Sequence, residues 1–99
     1  MTLHILFESP FTGHCLDECR RVIAAGDALL LAGDGTYALA QAPSGTLGGL
    51  HEQGVELFAL GEDCTMRGID VQRHTDVRTL DYGGFVELAL VHERSVSWF

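Results

Sequence analysis

Cys15 and Cys19, four residues apart, are the side chains of this sequence whose type and spacing best suit covalent chemistry. On a helix that spacing puts them on one face. A thiol that takes up sulfur and hands it on must ionise near neutral pH, keep some exposure and sit close to positive charge. Cys15 falls in the first turn of the expected helix, where unpaired N–H groups favour an anion. Cys19 lies deeper, with Arg20 and Arg21 directly after it. These considerations slightly favour Cys15 as the activated thiol. The same pair also suits plain packing, because free cysteine is among the most buried residue types and Leu16, Val22 and Ile23 extend the stripe. Two ligands at i and i+4 are also half a metal site. His14, His51, His74 and Cys64 complete no ligand-like spacing, so no metal is expected. Cys64 itself reads as a small buried residue.

Other motifs offer less. Gly33-Asp34-Gly35-Thr36-Tyr37-Ala38 matches a G-x-G-x-x-A dinucleotide fingerprint and follows a strand. It follows the second strand, however, and Pro43 cuts the next helix short. Two turn glycines around a solvated Asp34 explain it better, and no cofactor is expected. The five histidines are scattered, and no G-x-S-x-G, H-E-x-x-H or P-loop is present.

The elements that must position these residues follow from pattern. Residues 3–7 form a short apolar run ended by Ser9-Pro10, a first strand. Thr12 then caps a helix over about 13–25, with Asp17 and Glu18 early, Arg20 and Arg21 late, and Gly26 as its stop. Residues 28–32 are continuously apolar, as in a strand buried on both faces of a parallel sheet. One or two helical turns over 36–41, a loop at Pro43-Ser44-Gly45 and a weak helix through Leu47, Leu50 and His51 come next. Strands at 55–60 and 77–80, a short helix at 62–67, a long one at 82–91 and a terminal strand at 95–99 complete the reading. Strands alternating with helices predict an open, mostly parallel α/β sheet of about five strands with helices on both faces.

Ninety-nine residues fit one domain, taken as 1–99. Hydrophobic residues make up 46%, too many for a disordered chain. Six arginines and no lysine stand against fourteen acids, giving a formal charge of −8. That balance repels a phosphate backbone, so direct nucleic-acid binding is not expected. The opening Met1-Thr2-Leu3-His4 has no basic n-region and no long apolar h-region, and no apolar run nears the roughly 20 residues of a membrane helix. The expected location is therefore the cytoplasm, away from membranes, with thiols reduced.

Five fragments in order carry a family resemblance. They are Leu3-His4-Ile5-Leu6 with Ser9-Pro10-Phe11; Gly26-Asp27-Ala28-Leu29-Leu30-Leu31 with Gly33-Asp34-Gly35 and Tyr37-Ala38; and Leu57-Phe58-Ala59-Leu60 with Glu62-Asp63 and Arg67-Gly68. Asp81-Tyr82 with Phe85-Val86-Glu87-Leu88, and the end Trp98-Phe99, complete the set. Together they resemble the TusB/DsrH family over nearly the whole chain. The resemblance implies a DsrE/DsrF-like fold. It also implies assembly with two paralogous DsrE/DsrF-like subunits, typically as a heterohexamer made of two heterotrimers. Such a complex passes persulfide sulfur to a downstream sulfur-carrier protein, either toward 2-thiolation of the tRNA wobble uridine or within dissimilatory sulfur oxidation. A lone subunit is not expected to be an active enzyme. Cys19 falls where many members carry a cysteine, which makes it the expected catalytic thiol over Cys15. The principal sulfur-carrying cysteine of these complexes is usually on another subunit, so packing remains the alternative for Cys19. Cys64 stands where the family commonly has leucine.

Overall fold

The computed structural model describes residues 1–41 and 47–99. The expected loop at Pro43-Ser44-Gly45 lies outside the described residues. Five strands, β1 (Thr2–Leu6), β2 (Ala28–Leu31), β3 (Glu56–Leu60), β4 (Val77–Leu80) and β5 (Arg94–Trp98), form one sheet. Their order is β4-β3-β2-β1-β5, and every pair is parallel. Three helices, α1 (Cys15–Val22), α2 (Gly61–Met66) and α3 (Tyr82–Val91), alternate with them. The expected α/β class, strand count and two-faced helix layout are therefore observed.

The apolar runs sort by the two-residue strand period into two cores. On one face Leu6, Leu29, Leu31, Leu57 and Ala59 pack with Leu16 and Cys19 of α1, Ala38 and Leu39, and Cys64 of α2. On the other, Leu3, Ile5, Ala28, Leu30, Phe58 and Leu60 meet α3 through Phe85, Leu88 and Ala89. The first three crossovers thus run over one face. The fourth, through α3, returns over the other to set β5 beside β1. A right-handed crossover requires that change of face when the strand order reverses. The β1/β5 junction is thereby the topological switch point, where doubly wound sheets form a crevice beyond the strand ends.

The local structure differs from the sequence expectation at three places. The helix expected over 13–25 is shorter, and Thr12 does not cap it: its hydroxyl turns back to the Ser9 carbonyl at 3.5 Å, while the Glu8 carboxylate accepts the Cys15 amide at 3.0 Å. A charged acceptor reaching from the preceding loop replaces the hydroxyl cap. The weak helix through Leu47, Leu50 and His51 is instead a chain of turns, with Gly49 at φ +86° and Gly54 at φ +90° interrupting any helical ladder. The turns expected over 36–41 are a longer 3₁₀ segment, Gly33–Ala40.

That segment explains the fingerprint-like glycines. The Gly33 amide donates to Asp63 Oδ2 at 2.7 Å, so the group that would cradle a phosphate already has an anion. Gly35 lies against β1 so closely that a Cβ there would stand 2.1 Å from the Leu6 carbonyl oxygen. Asp34 is exposed, as expected, and pairs with Arg67 at 2.9 Å.

Candidate functional site

The two helix thiols lie in different surroundings, and only Cys15 reaches the end of β5. Cys15 opens α1 and is half-buried. Its Sγ donates to the Phe99 carbonyl at 2.9 Å, and its amide is held by Glu8. Phe7 and Phe99 stack beside it, centroids 5.2 Å apart. Burial first, then the bond and charge of Glu8, push the Cys15 thiol above its ordinary range. The helix N-terminus was expected to favour a Cys15 thiolate; the Glu8 carboxylate occupies that position instead. The Cys15 amide in turn lowers the Glu8 pKa. The activation expected for Cys15 from the helix terminus is therefore opposed by its neighbours, although Cys15 remains the more exposed of the two helix thiols.

Cys19 is fully buried, 0% exposed, between α1 and the sheet. Burial, reinforced by the Asp27 charge, pushes its pKa up to about 11, while the neighbouring Arg20 charge pulls the other way. Arg20 directs its guanidinium to the Gly48 carbonyl at 2.8 Å. Cys64 is buried as expected, and burial and Asp63 raise its thiol too. In the isolated folded chain we predict that iodoacetamide at pH 7 labels Cys15 slowly and leaves Cys19 and Cys64 protected until unfolding. At a pKa of about 11 only about one Cys19 in ten thousand is ionised at that pH. Peptide mapping after timed labelling checks it; native-state labelling of Cys19 at the rate of an unfolded thiol would refute it.

Sequence reading missed a buried polar network directly beneath these residues. His4 points from β1 to the α1 face, and its Nε2 lies 3.2 Å from Asp27 Oδ2. Trp98 Nε1 donates to His4 Nδ1 at 3.2 Å. The indole can only donate, so Nδ1 must accept and Nε2–H must give its proton bond to Asp27. The neutral imidazole thereby links β5, β1 and the turn before β2. Asp27 also accepts the Thr2 and Ala24 amides, at 2.9 and 3.0 Å. Burial alone would raise its pKa, but these amides and His4 outweigh it and hold the carboxyl below its ordinary value. No sequence signal places residues 4, 27 and 98 together; the nearest hint is a histidine inside the apolar run of β1.

The described residues gather no group of three histidine, cysteine or acidic side chains able to hold a metal ion. They also contain no helix long and apolar enough to cross a membrane. The arrangement supplies one partly exposed but acid-flanked thiol, two buried thiols and a dipole-locked histidine.

Comparison with known proteins gives a consistent result. The family model described as "DsrH like protein" matches residues 8–95. The protein TusB of Pectobacterium parmentieri is 35% identical over 96 residues, covering 97% of this chain and 99% of that protein. The protein TusB of Escherichia coli O139:H28 (strain E24377A / ETEC) is 32% identical with the same coverage. Among solved structures, the ychN protein from E. coli superposes with a TM-score of 0.73 at 15% identity, covering 99% of each chain. Protein Tm0979 from Thermotoga maritima gives 0.64 at 20% identity, covering 94% of this chain and 95% of its own. At such identities the structural likeness bears on the fold alone.

Proposed function

Because the chain belongs to the DsrH-like protein family, we propose that it is a non-autonomous subunit of a sulfur-relay complex. The complex passes persulfide sulfur toward 2-thiolation of the tRNA wobble uridine. The observation that carries this reading is the near full-length match to TusB proteins in a chain whose three thiols all have raised pKa values. A chain so equipped needs a partner to supply the reactive thiolate. In this reading two paralogous DsrE/DsrF-like subunits provide it in a hetero-oligomer of two heterotrimers, in the cytoplasm, and a downstream carrier protein takes the sulfur onward. The charge of −8 supports a role that meets proteins and leaves the tRNA to a later enzyme. A DsrH-type place in dissimilatory sulfur oxidation is the alternative pathway. Deleting the gene and resolving tRNA on a mercury-containing gel separates them: loss of the retarded thiolated species supports tRNA modification, and its full retention overturns it.

The burial of Cys19 favours a holding role for this subunit. A second reading keeps Cys19 as an auxiliary sulfur site, and the observation favouring it is the Arg20 charge, which works against burial to stabilise its thiolate. The Cys19→Ser variant in the assembled complex distinguishes the two. The holding role predicts sulfur transfer within about twofold of wild type and no persulfide on this chain by mass spectrometry, since transition-state loss of even 1.4 kcal/mol would show as tenfold. A tenfold loss together with a persulfide on Cys19 would establish the second reading.

A further inference from the structure

The end of β5 lies over Cys15 and is held firmly at its root but lightly at its tip. At the root, Trp98 turns inward: its indole donates to buried His4 and stacks on that ring at 6.2 Å. The Trp98 carbonyl also accepts the Phe7 amide at 2.9 Å. At the tip, Phe99 is 80% exposed and meets the fold through its ring and its carbonyl. The ring lies parallel to Phe7 at 5.2 Å, and the carbonyl oxygen accepts the Cys15 thiol at 2.9 Å. β5 is also an edge strand, paired with β1 alone, and Arg94 to Ser97 are exposed. An exposed stack and an exposed thiol bond each contribute little, so such a tip opens far more cheaply than the sheet unfolds. The root follows less easily, because the Trp98 N–H would lose its buried partner.

We infer that Trp98 and Phe99 form a hinged strap over Cys15, latched at His4, which sets how readily that thiol is reached. With the strap down, the thiol spends its proton on the Phe99 carbonyl. With the tip lifted, that bond is broken and the Phe7 ring loses its cover. Cys19 and Cys64 meanwhile stay beneath the helices that bury them. Whatever raises the end of β5 therefore exposes one thiol of the three, and whatever holds it down hides that thiol.

The test times iodoacetamide labelling of each cysteine by peptide mapping, in the wild-type chain and in Phe99→Ala, Phe99→Tyr and Trp98→Phe. Phe99→Ala removes the stack and is expected to speed Cys15 labelling about fivefold to tenfold, with the wild-type unfolding midpoint kept. Phe99→Tyr keeps a ring against Phe7 and restores the wild-type rate. Trp98→Phe removes the latch bond and speeds Cys15 about fivefold. Cys19 and Cys64 stay protected in every variant. In the wild type, Cys15 labelling changes little with urea below the unfolding transition, because lifting the tip uncovers little surface. Cys15 rates within about twofold of wild type in both Phe99→Ala and Trp98→Phe would overturn the strap. So would a wild-type Cys15 rate that climbs with urea in step with that of Cys19, a comparison that needs no variant.

Discussion

Replacing Asp27 by Ala is expected to cost about 3 kcal/mol of stability, because it strands three donors at once. The Thr2 and Ala24 amides and His4 Nε2–H all end on this buried carboxylate. For a domain of this length such a loss lowers the melting temperature by more than about 10 °C. Asp27→Asn is milder but not neutral, since its amide keeps one acceptor oxygen and places N–H groups against existing donors. The same residue sets an acid limit. Its folded pKa lies below the ordinary carboxylate value of 3.8, so its stabilisation is fully present above that value. As pH falls through the lower folded value, the stabilisation is lost. Urea unfolding between pH 7 and pH 3 checks both statements: the wild type weakens toward pH 3, and Asp27→Ala weakens less because it has already lost this contribution. Equal pH dependence in the two proteins would refute the role given to Asp27.

Gly35→Ala should be nearly as damaging, for a steric reason. The added Cβ would stand 2.1 Å from the Leu6 carbonyl oxygen and 2.8 Å from its carbon, both backbone atoms of a strand paired on both sides. That carbonyl also accepts the Ala32 amide at 3.0 Å, so it cannot retreat without breaking a bond between β1 and the end of β2. Overpacking of this kind costs about 2–3 kcal/mol. Gly68→Ala is the comparison: its φ is +66° but nothing lies within 4 Å, so only the left-handed backbone is strained, at about 1 kcal/mol. Chemical denaturation of both variants should rank Gly35→Ala as clearly the weaker protein. The reverse order would show that β1 and the 3₁₀ segment are not held as closely as described.

The sheet was legible because its strands announce themselves. Ala28–Leu31 is apolar at every position and is buried at every position, as a strand between two helix layers must be. Gly26 and Gly33 mark its flanks, and α3 carries its sheet-facing Phe85, Leu88 and Ala89 at helical spacing. The site was legible only in part. Spacing put Cys15 and Cys19 on one short helix, but it could not show that Glu8 reaches the Cys15 amide from seven residues before. Nor could it show that Cys19 points inward, since the same i, i+4 pair serves a buried stripe and a reactive face equally well. The His4–Asp27–Trp98 network joins residues 23 and 94 positions apart. Its contacts exist only because β1 lies between β2 and β5 in the sheet, an order that pattern reading does not supply. Helical spacing alone does not show how many apolar residues of α3 stay outside the core; exposure at Val86, Leu90 and Val91 does.

The proposed role as a relay subunit requires partner subunits. The most direct measurement is native mass spectrometry of the tagged chain purified, at its natural expression level, from its own cells. A hetero-oligomer holding this chain with two paralogous α/β subunits in equal numbers is the expected result. A stable lone monomer, with neither paralogue bound, would contradict its role as a relay subunit.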